Sequence, residues 1–458
     1  MRKYRKKEEI KIRKYVLFST YTFEKETAAF SRIYGFAKGL KELGHIMIVY
    51  SPNMPTENYV VDYSFVDGIY SFPAKRSLWI NILRKRFGTI SRTVSEKAAI
   101  NISKQEKSKD SSSKLSACIV NNVLAYNHFY SRTFSENFKI DFSREILRNP
   151  IFQSSDDEIV LFTSSGPSLM NYFGYRIKKE NPHVFWIADY RDLNQGNPYK
   201  SDECNFRGRM MDKLAFKYAD LVTTVSNLVM KQNILNANKM GLDIEKKTYV
   251  MYNGFLDGTL NTSNCVTFFE KYRRILPSEK IIIAFTGTIY PLRRIDVFFE
   301  ALKGVENVVF VYAGDSFELV DYFAKDLDVE SKVINLKQLS KEEAWFLQEN
   351  SDILLQLKAD SEENGILSGK FFEYLRTNKR ILSLGDKDKE YNEICKNLKN
   401  VNVLPYDKEK IVKYLKNLRK DDLKEEYDPN IEKFSWKNLV RDFDDFVSQK
   451  MRERISNK

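Results

Sequence analysis

Short apolar runs alternate with amphipathic stretches along most of this chain, and the two periods predict strands and helices in alternation. Residues 14–22 (Lys14-Tyr15-Val16-Leu17-Phe18-Ser19-Thr20-Tyr21-Thr22) read as a buried strand ending in a polar loop. A helix is predicted over 30–43, Gly44 supplies its C-terminal stop, and a second strand covers 46–50. That order is a β-α-β unit, whose parallel strands imply an α/β sheet. The alternation resumes with a strand at 159–162 leading into Thr163-Ser164-Ser165-Gly166-Pro167-Ser168 and a helix. A strand at 184–188 leads into Asp189-Tyr190-Arg191-Asp192, followed by a helix at 212–218, a strand at 221–225, a helix, and a strand at 248–251. A second run of the same kind opens at 280–290, with strands near 308–312, 333–335, 353–357 and 380–384. Each run predicts a doubly wound sheet that binds ligands at the C-terminal ends of its strands.

A stretch rich in Asn, Thr, Ser and Gly near 255–279 separates the two runs. The predicted organisation is therefore a Rossmann-like domain over 1–258, a second over 259–435, and a C-terminal helix within 436–458. Residues 101–117 are polar and of low complexity, and read as a mobile insert. Residues 78–90 plot as an amphipathic helix: Leu78, Trp79, Ile82, Leu83, Phe87 and Ile90 share an arc, and Asn81, Arg84 and Lys85 lie opposite. Arg86 falls inside the arc. The segment reads either as an interfacial helix on an anionic membrane or as a core-packed helix with a solvated basic face.

Composition narrows the function classes. The 458 residues are 43% hydrophobic and 14% aromatic, a globular composition with enough chain for two to three domains. No apolar run reaches the roughly 18 residues of a membrane span, and no apolar signal core follows the basic N-terminus. Cys118, Cys204, Cys265 and Cys395 show neither metal spacing nor a disulfide framework, and His45, His128 and His183 are scattered. No protein-built metal site or other cofactor is expected, and the default compartment is the cytoplasm. The net charge of +12 lies wholly within residues 1–120, while residues 121–458 balance. That asymmetry points to an anionic partner near the N-terminal region. No nucleic-acid signature accompanies it, so the inner face of a membrane fits better.

The densest chemistry lies in Glu363-Asn364-Gly365-Ile366-Leu367-Ser368-Gly369-Lys370-Phe371-Phe372-Glu373-Tyr374-Leu375. It reads as a glycine-containing loop feeding a helix, with Lys370 and Glu373 as neighbours on one face. Ser368 and Gly369 sit where unpaired N–H groups and the helix dipole favour a phosphate. Glu373 is placed to accept hydrogen bonds from a sugar diol such as a ribose. A diphosphate beside a diol is the pattern of a nucleotide-sugar. The bland alternative is a capped amphipathic helix with a buried Phe-Phe face.

The segment closely resembles the donor-binding motif of retaining GT-B glycosyltransferases of family 4, many of which carry a Gly-Lys-aromatic-aromatic-Glu-Tyr-Leu run. Further segments resemble the family in the expected order: Thr163–Pro167, Ile187-Ala188-Asp189-Tyr190-Arg191-Asp192, Ala219–Ser226, Asn253-Gly254-Phe255, and Phe285-Thr286-Gly287-Thr288-Ile289-Tyr290. The resemblance implies two Rossmann-like domains facing a cleft, with the last helix returning to the N-terminal domain. It also implies transfer of a sugar from a nucleotide diphosphate to a glycan or polyprenyl-linked acceptor, with retention, as in surface polysaccharide synthesis.

Carried over residue by residue, it marks Gly287, Thr288, Arg293, Gly365, Ile366, Leu367, Ser368, Gly369, Lys370 and Glu373 for donor binding. Arg293, Lys370 and Asp192 are the candidate catalytic residues, and Arg294 is the alternative to Arg293. His45 reads as a structural turn residue. There are departures. Thr288 stands where many relatives have Arg. Gly365 stands where counting back from Glu373 would meet a second acid. The loop after the first strand lacks a Gly-Gly pair. Two rival readings remain: a nucleotide-sugar epimerase on the same fold, and a catalytically silent binding subunit.

Overall fold

The structure is a computed structural model describing residues 11–18, 28–53, 64–76, 133–135, 138–140, 148–154, 158–165, 168–195, 202–256, 262–290, 292–360, 367–423 and 427–456. The predicted helix at 78–90 and the insert at 101–117 lie outside the described residues. The chain divides into two compact units: Met1–Tyr252 together with Val440–Lys458, and Asn253–Leu439.

The first unit runs β1 (Lys14–Phe18), α1 (Ala28–Glu42), β2 (Ile46–Asn53), β3 (Gly68–Arg76), β4 (Thr133–Ser135), β5 (Phe138–Ile140), β6 (Ile159–Ser165), α2 (Leu169–Glu180), β7 (Phe185–Tyr190), α3 (Asp202–Tyr218), β8 (Leu221–Thr224), α4 (Asn227–Asn238) and β9 (Thr248–Val250). Its sheet has the order β4-β5-β3-β2-β1-β6-β7-β8-β9. β1 to β3 and β6 to β9 are parallel, whereas β5 pairs antiparallel with β3 and β4. Every residue of β6 is buried, as expected of a strand covered on both faces. Trp186 on β7 is wholly buried, donates to Thr163 Oγ1 at 2.9 Å, and lies against Gly174 of α2. A Cβ at Gly174 would stand 2.2 Å from the indole, so only glycine admits this close helix–sheet approach.

Two predicted loops prove to be strand. Thr163 to Ser165 stay in β6, and Asp189 and Tyr190 stay in β7, because Ser164 pairs with Asp189 and Ser165 with Tyr190 along the ladder. Buried partners absorb their polarity: Ser164 Oγ donates to Asp189 at 3.0 Å, and Tyr190 OH donates to Asp212 at 3.0 Å.

The second unit runs α5 (Thr262–Tyr272), β10 (Ile281–Thr286), α6 (Ile295–Leu302), β11 (Val308–Ala313), α7 (Phe317–Asp326), β12 (Val333–Asn335), α8 (Lys341–Glu349), β13 (Ile353–Leu357), α9 (Gly369–Leu375), β14 (Arg380–Leu384), α10 (Lys389–Lys396), β15 (Val401–Leu404) and α11 (Lys408–Lys416). All six strands are parallel, in the order β12-β11-β10-β13-β14-β15. That is the doubly wound Rossmann order, and its switch point lies between β10 and β13. β10, β11 and β13 are buried at every position.

The last helix, α12 (Trp436–Ser456), belongs to the first unit from Val440 onward. Val440, Phe443 and Val447 are buried there, and Phe443 lies 5.4 Å from Phe36 and 5.5 Å from Tyr249. Asp444 accepts from Arg13 and Tyr15, each at 2.7 Å, and His45 Nε2 lies 3.2 Å away. Burial opposes a charge on Asp444, but His45, Arg13 and Tyr15 outweigh it and hold its pKa below the ordinary carboxyl value. His45 is fully buried, and its Nδ1 accepts from the Arg13 amide at 3.2 Å, a structural position.

Candidate functional site

The chemistry of the second unit gathers at its switch point, where the loop after β10 meets the residues that follow β13. Gly287 ends β10 at φ +106°, a left-handed conformation that favours glycine. Its N–H donates to Ala313, and its carbonyl accepts from Tyr312 OH at 2.9 Å. Tyr374 of α9 is buried, and its hydroxyl accepts from the Thr286 amide at 2.9 Å. Gln348 donates to Thr286 Oγ1 at 2.9 Å. The turn is thus fixed from three directions before any ligand arrives.

Lys370 is the unusual group. Its Nζ is shut off from solvent and makes no hydrogen bond among the described residues. The ammonium lies 3.7 Å from the centroid of the Phe285 ring, a cation–π contact. A Cβ at Gly287 would stand 2.8 Å from Nζ, so the glycine makes room for the lysine as well as for the turn. Burial, then the neighbouring Arg293 charge, push the Lys370 pKa well below its ordinary value, and Glu373 offsets only part of this. An ammonium held here without an acceptor is a group organised for an anion.

Arg293 and Arg294 separate by geometry. Arg294 lies exposed and forks onto Asp296 with distances of 2.7–3.0 Å. Arg293 is half-buried with its guanidinium 4.9 Å from the Tyr290 ring centroid, and its charge reaches both Lys370 and Lys358. Leu292, just before it, holds φ +66°, and its carbonyl accepts from the Asp360 amide at 2.9 Å.

Lys358 was not singled out by the sequence. It follows β13, is 4% exposed, and pairs with Asp388 at 2.8 Å. Burial lowers its pKa, Asp388 offsets part of that, and Arg293 adds to it. Three cations therefore gather beyond the C-terminal ends of the central strands β10 and β13, and an anion that joined them would relieve their repulsion. A lysine closing an apolar run was the only signal in the sequence.

The remaining predicted donor residues fall as follows. Leu367 is buried, and its carbonyl accepts from Asn253 Nδ2 at 3.0 Å. Ser368 caps α9 without a side-chain hydrogen bond, and Gly369 opens the helix. α9 is only seven residues long, so its dipole is short and Lys370 carries most of the positive charge. Glu373 lies half-buried one turn beyond Lys370. Phe371 and Phe372 are fully buried, so the apolar face of the motif is core. Thr288 Oγ1 approaches Asp315 at 3.5 Å, the limit of a hydrogen bond. Gly365 and Ile366 lie outside the described residues.

In the first unit, Asp189 is fully buried and paired with Arg32 at 2.8 Å, with Thr223 Oγ1 donating to it at 2.8 Å. Arg32 also donates to the carbonyls of Met251 and Tyr252. The Asp189 carboxylate is thereby committed to structure. Asp192, three residues on, is exposed just past the C-terminal end of β7. Arg191 turns back, its Nε donating to Ser165 O at 3.3 Å. Among the described residues no group of three or more His, Cys, Asp or Glu is placed to hold a metal ion, and no helix is long and apolar enough to cross a membrane.

Comparison of the whole chain with solved structures gives consistent neighbours. Anabaena HepE in complex with UDP matches with a TM-score of 0.53 at 12% identity, covering 97% of this chain and all of that one. Sucrose-phosphate synthase from Thermosynechococcus elongatus matches with a TM-score of 0.56 at 9% identity, over 97% and 100% of the two chains. The lipopolysaccharide outer core galactosyltransferase WaaB, in its apo form, matches at 0.53 and 12% identity, over 95% and 99%.

The fold is GT-B.

At these identities the likeness extends to the fold alone. No protein-family model matches the sequence, and no curated protein matches it either. Two parallel Rossmann-like sheets with alternating helices and a closing C-terminal helix make up this GT-B chain.

Proposed function

We propose that this GT-B protein is a glycosyltransferase that moves a sugar from a nucleotide diphosphate donor to a glycan or polyprenyl-linked acceptor, with retention. The observation that carries the reading is the buried Lys370 ammonium without a hydrogen-bond acceptor among the described residues, with Arg293 as its charged neighbour. A diphosphate supplies the missing acceptors and the missing negative charge at once. Arg293 forks onto phosphate oxygens and, with Lys370, stabilises the charge that develops on the leaving diphosphate as the glycosidic bond breaks. Thr288, Ser368 and Gly369 are assigned to line the donor, Gly287 and Leu367 to shape the turns beside it, Gly365 and Ile366 to donor binding from the sequence alone, and Glu373 to accept from the ribose diol. Asp192 is the exposed acid assigned to the acceptor side. HepE has been solved with UDP and with UDP-glucose, which makes UDP-sugars the first donors to try.

The cytoplasmic face of a membrane is the proposed place of work, on the strength of the basic excess in residues 1–120. The reading is tested by release of nucleoside diphosphate from UDP-, GDP- and TDP-sugars, with and without a lipid-linked glycan extract. Acceptor-dependent release, lost in Arg293→Ala, is the expected result. Acceptor-free conversion of the donor into its epimer would identify an epimerase. Nucleotide binding with neither transfer nor hydrolysis would identify a silent binding subunit.

A further inference from the structure

The donor loop is held at its base by a residue from a distant part of the chain. Asn253 opens the second unit, 114 positions before Leu367, and its side-chain Nδ2 donates to the Leu367 carbonyl at 3.0 Å. Leu367 is 2% exposed and immediately precedes Ser368-Gly369-Lys370. The segment carrying Asn253 is itself fixed. The Phe255 amide donates to Phe434 O at 3.1 Å, and the Trp436 amide donates to Phe255 O at 2.9 Å. A Cβ at Gly254 would stand 2.7 Å from both Phe434 O and Leu439 Cδ1, so this segment packs without slack. A rigid donor thus grips the last carbonyl before the residues proposed to meet the diphosphate.

We infer that Asn253 is a positioning residue for the donor loop: its amide fixes the Leu367 carbonyl and thereby the approach of Ser368, Gly369 and Lys370 to the phosphates. The inference rests on the donor assignment made above. Asn253 touches no phosphate itself. A carboxylate at this position keeps the shape but loses the donor and faces a carbonyl oxygen with negative charge. Pre-organisation of this kind sets affinity by removing the cost of ordering the loop on binding.

The test is hydrogen–deuterium exchange of the intact protein, comparing wild type, Asn253→Asp and Asn253→Ser, with UDP, GDP and TDP titrations of the same proteins. Exchange in peptides covering 367–375 should quicken roughly tenfold in Asn253→Asp, the equivalent of about 1.4 kcal/mol. Peptides from β10 and β11 should keep wild-type rates, which a general loss of stability would not allow. Asn253→Ser, which can donate through water, should give an intermediate rate. Nucleotide affinity should fall about tenfold in Asn253→Asp. Unchanged exchange at 367–375 would overturn the inference, and so would a uniform rise across both sheets.

Lys370→Met separates the two claims. If it leaves nucleotide binding intact while Asn253→Asp loosens the loop, the donor assignment fails, and the positioning role with it, leaving Asn253 a structural tie on Leu367. If it abolishes binding while Asn253→Asp leaves loop and affinity unchanged, the positioning role fails alone.

Discussion

Lys370→Met should make the ligand-free protein more stable. The Lys370 ammonium has no hydrogen-bond acceptor among the described residues, and its pKa is driven down first by burial and then by Arg293. A buried polar group left unpaired costs about 1–3 kcal/mol, and more when charged. Methionine has a similar length, carries no charge, and can keep a sulfur–aromatic contact of about 0.3–1.5 kcal/mol with Phe285. The lost cation–π contact, about 0.5–2 kcal/mol, works the other way. The balance favours the variant by about 1–2 kcal/mol, which in a chain of 458 residues raises Tm by roughly 1–2 °C.

The gain should depend on pH, and its sign follows from linkage. The folded-state pKa of Lys370 lies below the ordinary 10.5 of the unfolded chain. Between those values the unfolded state holds the proton that the folded state has shed, so wild-type stability rises with pH through that window. Below the folded pKa the penalty is present in full, and it is relieved as pH climbs toward 10.5. The difference between Lys370→Met and wild type should therefore shrink as pH rises from neutrality. Differential scanning fluorimetry at a series of pH values, without ligand, reads this directly. A variant less stable than wild type at neutral pH, or a difference independent of pH, would refute the reasoning.

Gly287→Ala should cost about 1–3 kcal/mol, because residue 287 sits at φ +106° and the new methyl would press on Lys370 Nζ at 2.8 Å; urea unfolding measures the loss. Gly174→Ala should cost at least about 1–3 kcal/mol, since its Cβ would enter the buried Trp186 indole, and near-ultraviolet circular dichroism of that tryptophan should change with it. Asp444→Asn should cost about 1.5–3 kcal/mol, because the buried Arg13 guanidinium keeps Glu158 at 3.0 Å but loses the charge on its 2.7 Å partner. The Asp444 pKa is held below the ordinary 3.8, so its contribution is present above that value and is lost as pH falls through the depressed one. Acid unfolding below about pH 4 should accordingly be shallower in the Asn variant than in wild type.

Much of this architecture is legible in the sequence because parallel strands buried on both faces read as apolar runs. The runs at 281–286, 308–313 and 353–357 are such strands, and the glycine after the first marks the turn that its φ requires. What escaped depends on partners remote in the chain. Ser164 and Asp189 look like loop residues until the ladder between β6 and β7 brings them together and Arg32 covers the carboxylate. Lys358 looks like a solvated end of a strand until Asp388, thirty residues later, buries it. The engagement of Arg294 by Asp296 is local, two positions away, and distinguishes its setting from that of Arg293 beside Tyr290. The cluster of Arg13, Tyr15, His45 and Asp444 joins residues more than 400 positions apart, beyond any local period.

The most direct test of the central claim is calorimetric titration of UDP, GDP and TDP, and of their common sugars, into wild type and Lys370→Met. The account predicts that one nucleoside diphosphate binds the wild type and that binding is lost in a variant at least as stable. Binding that survives in Lys370→Met, or no binding of any of these nucleotides to the wild type, would contradict it.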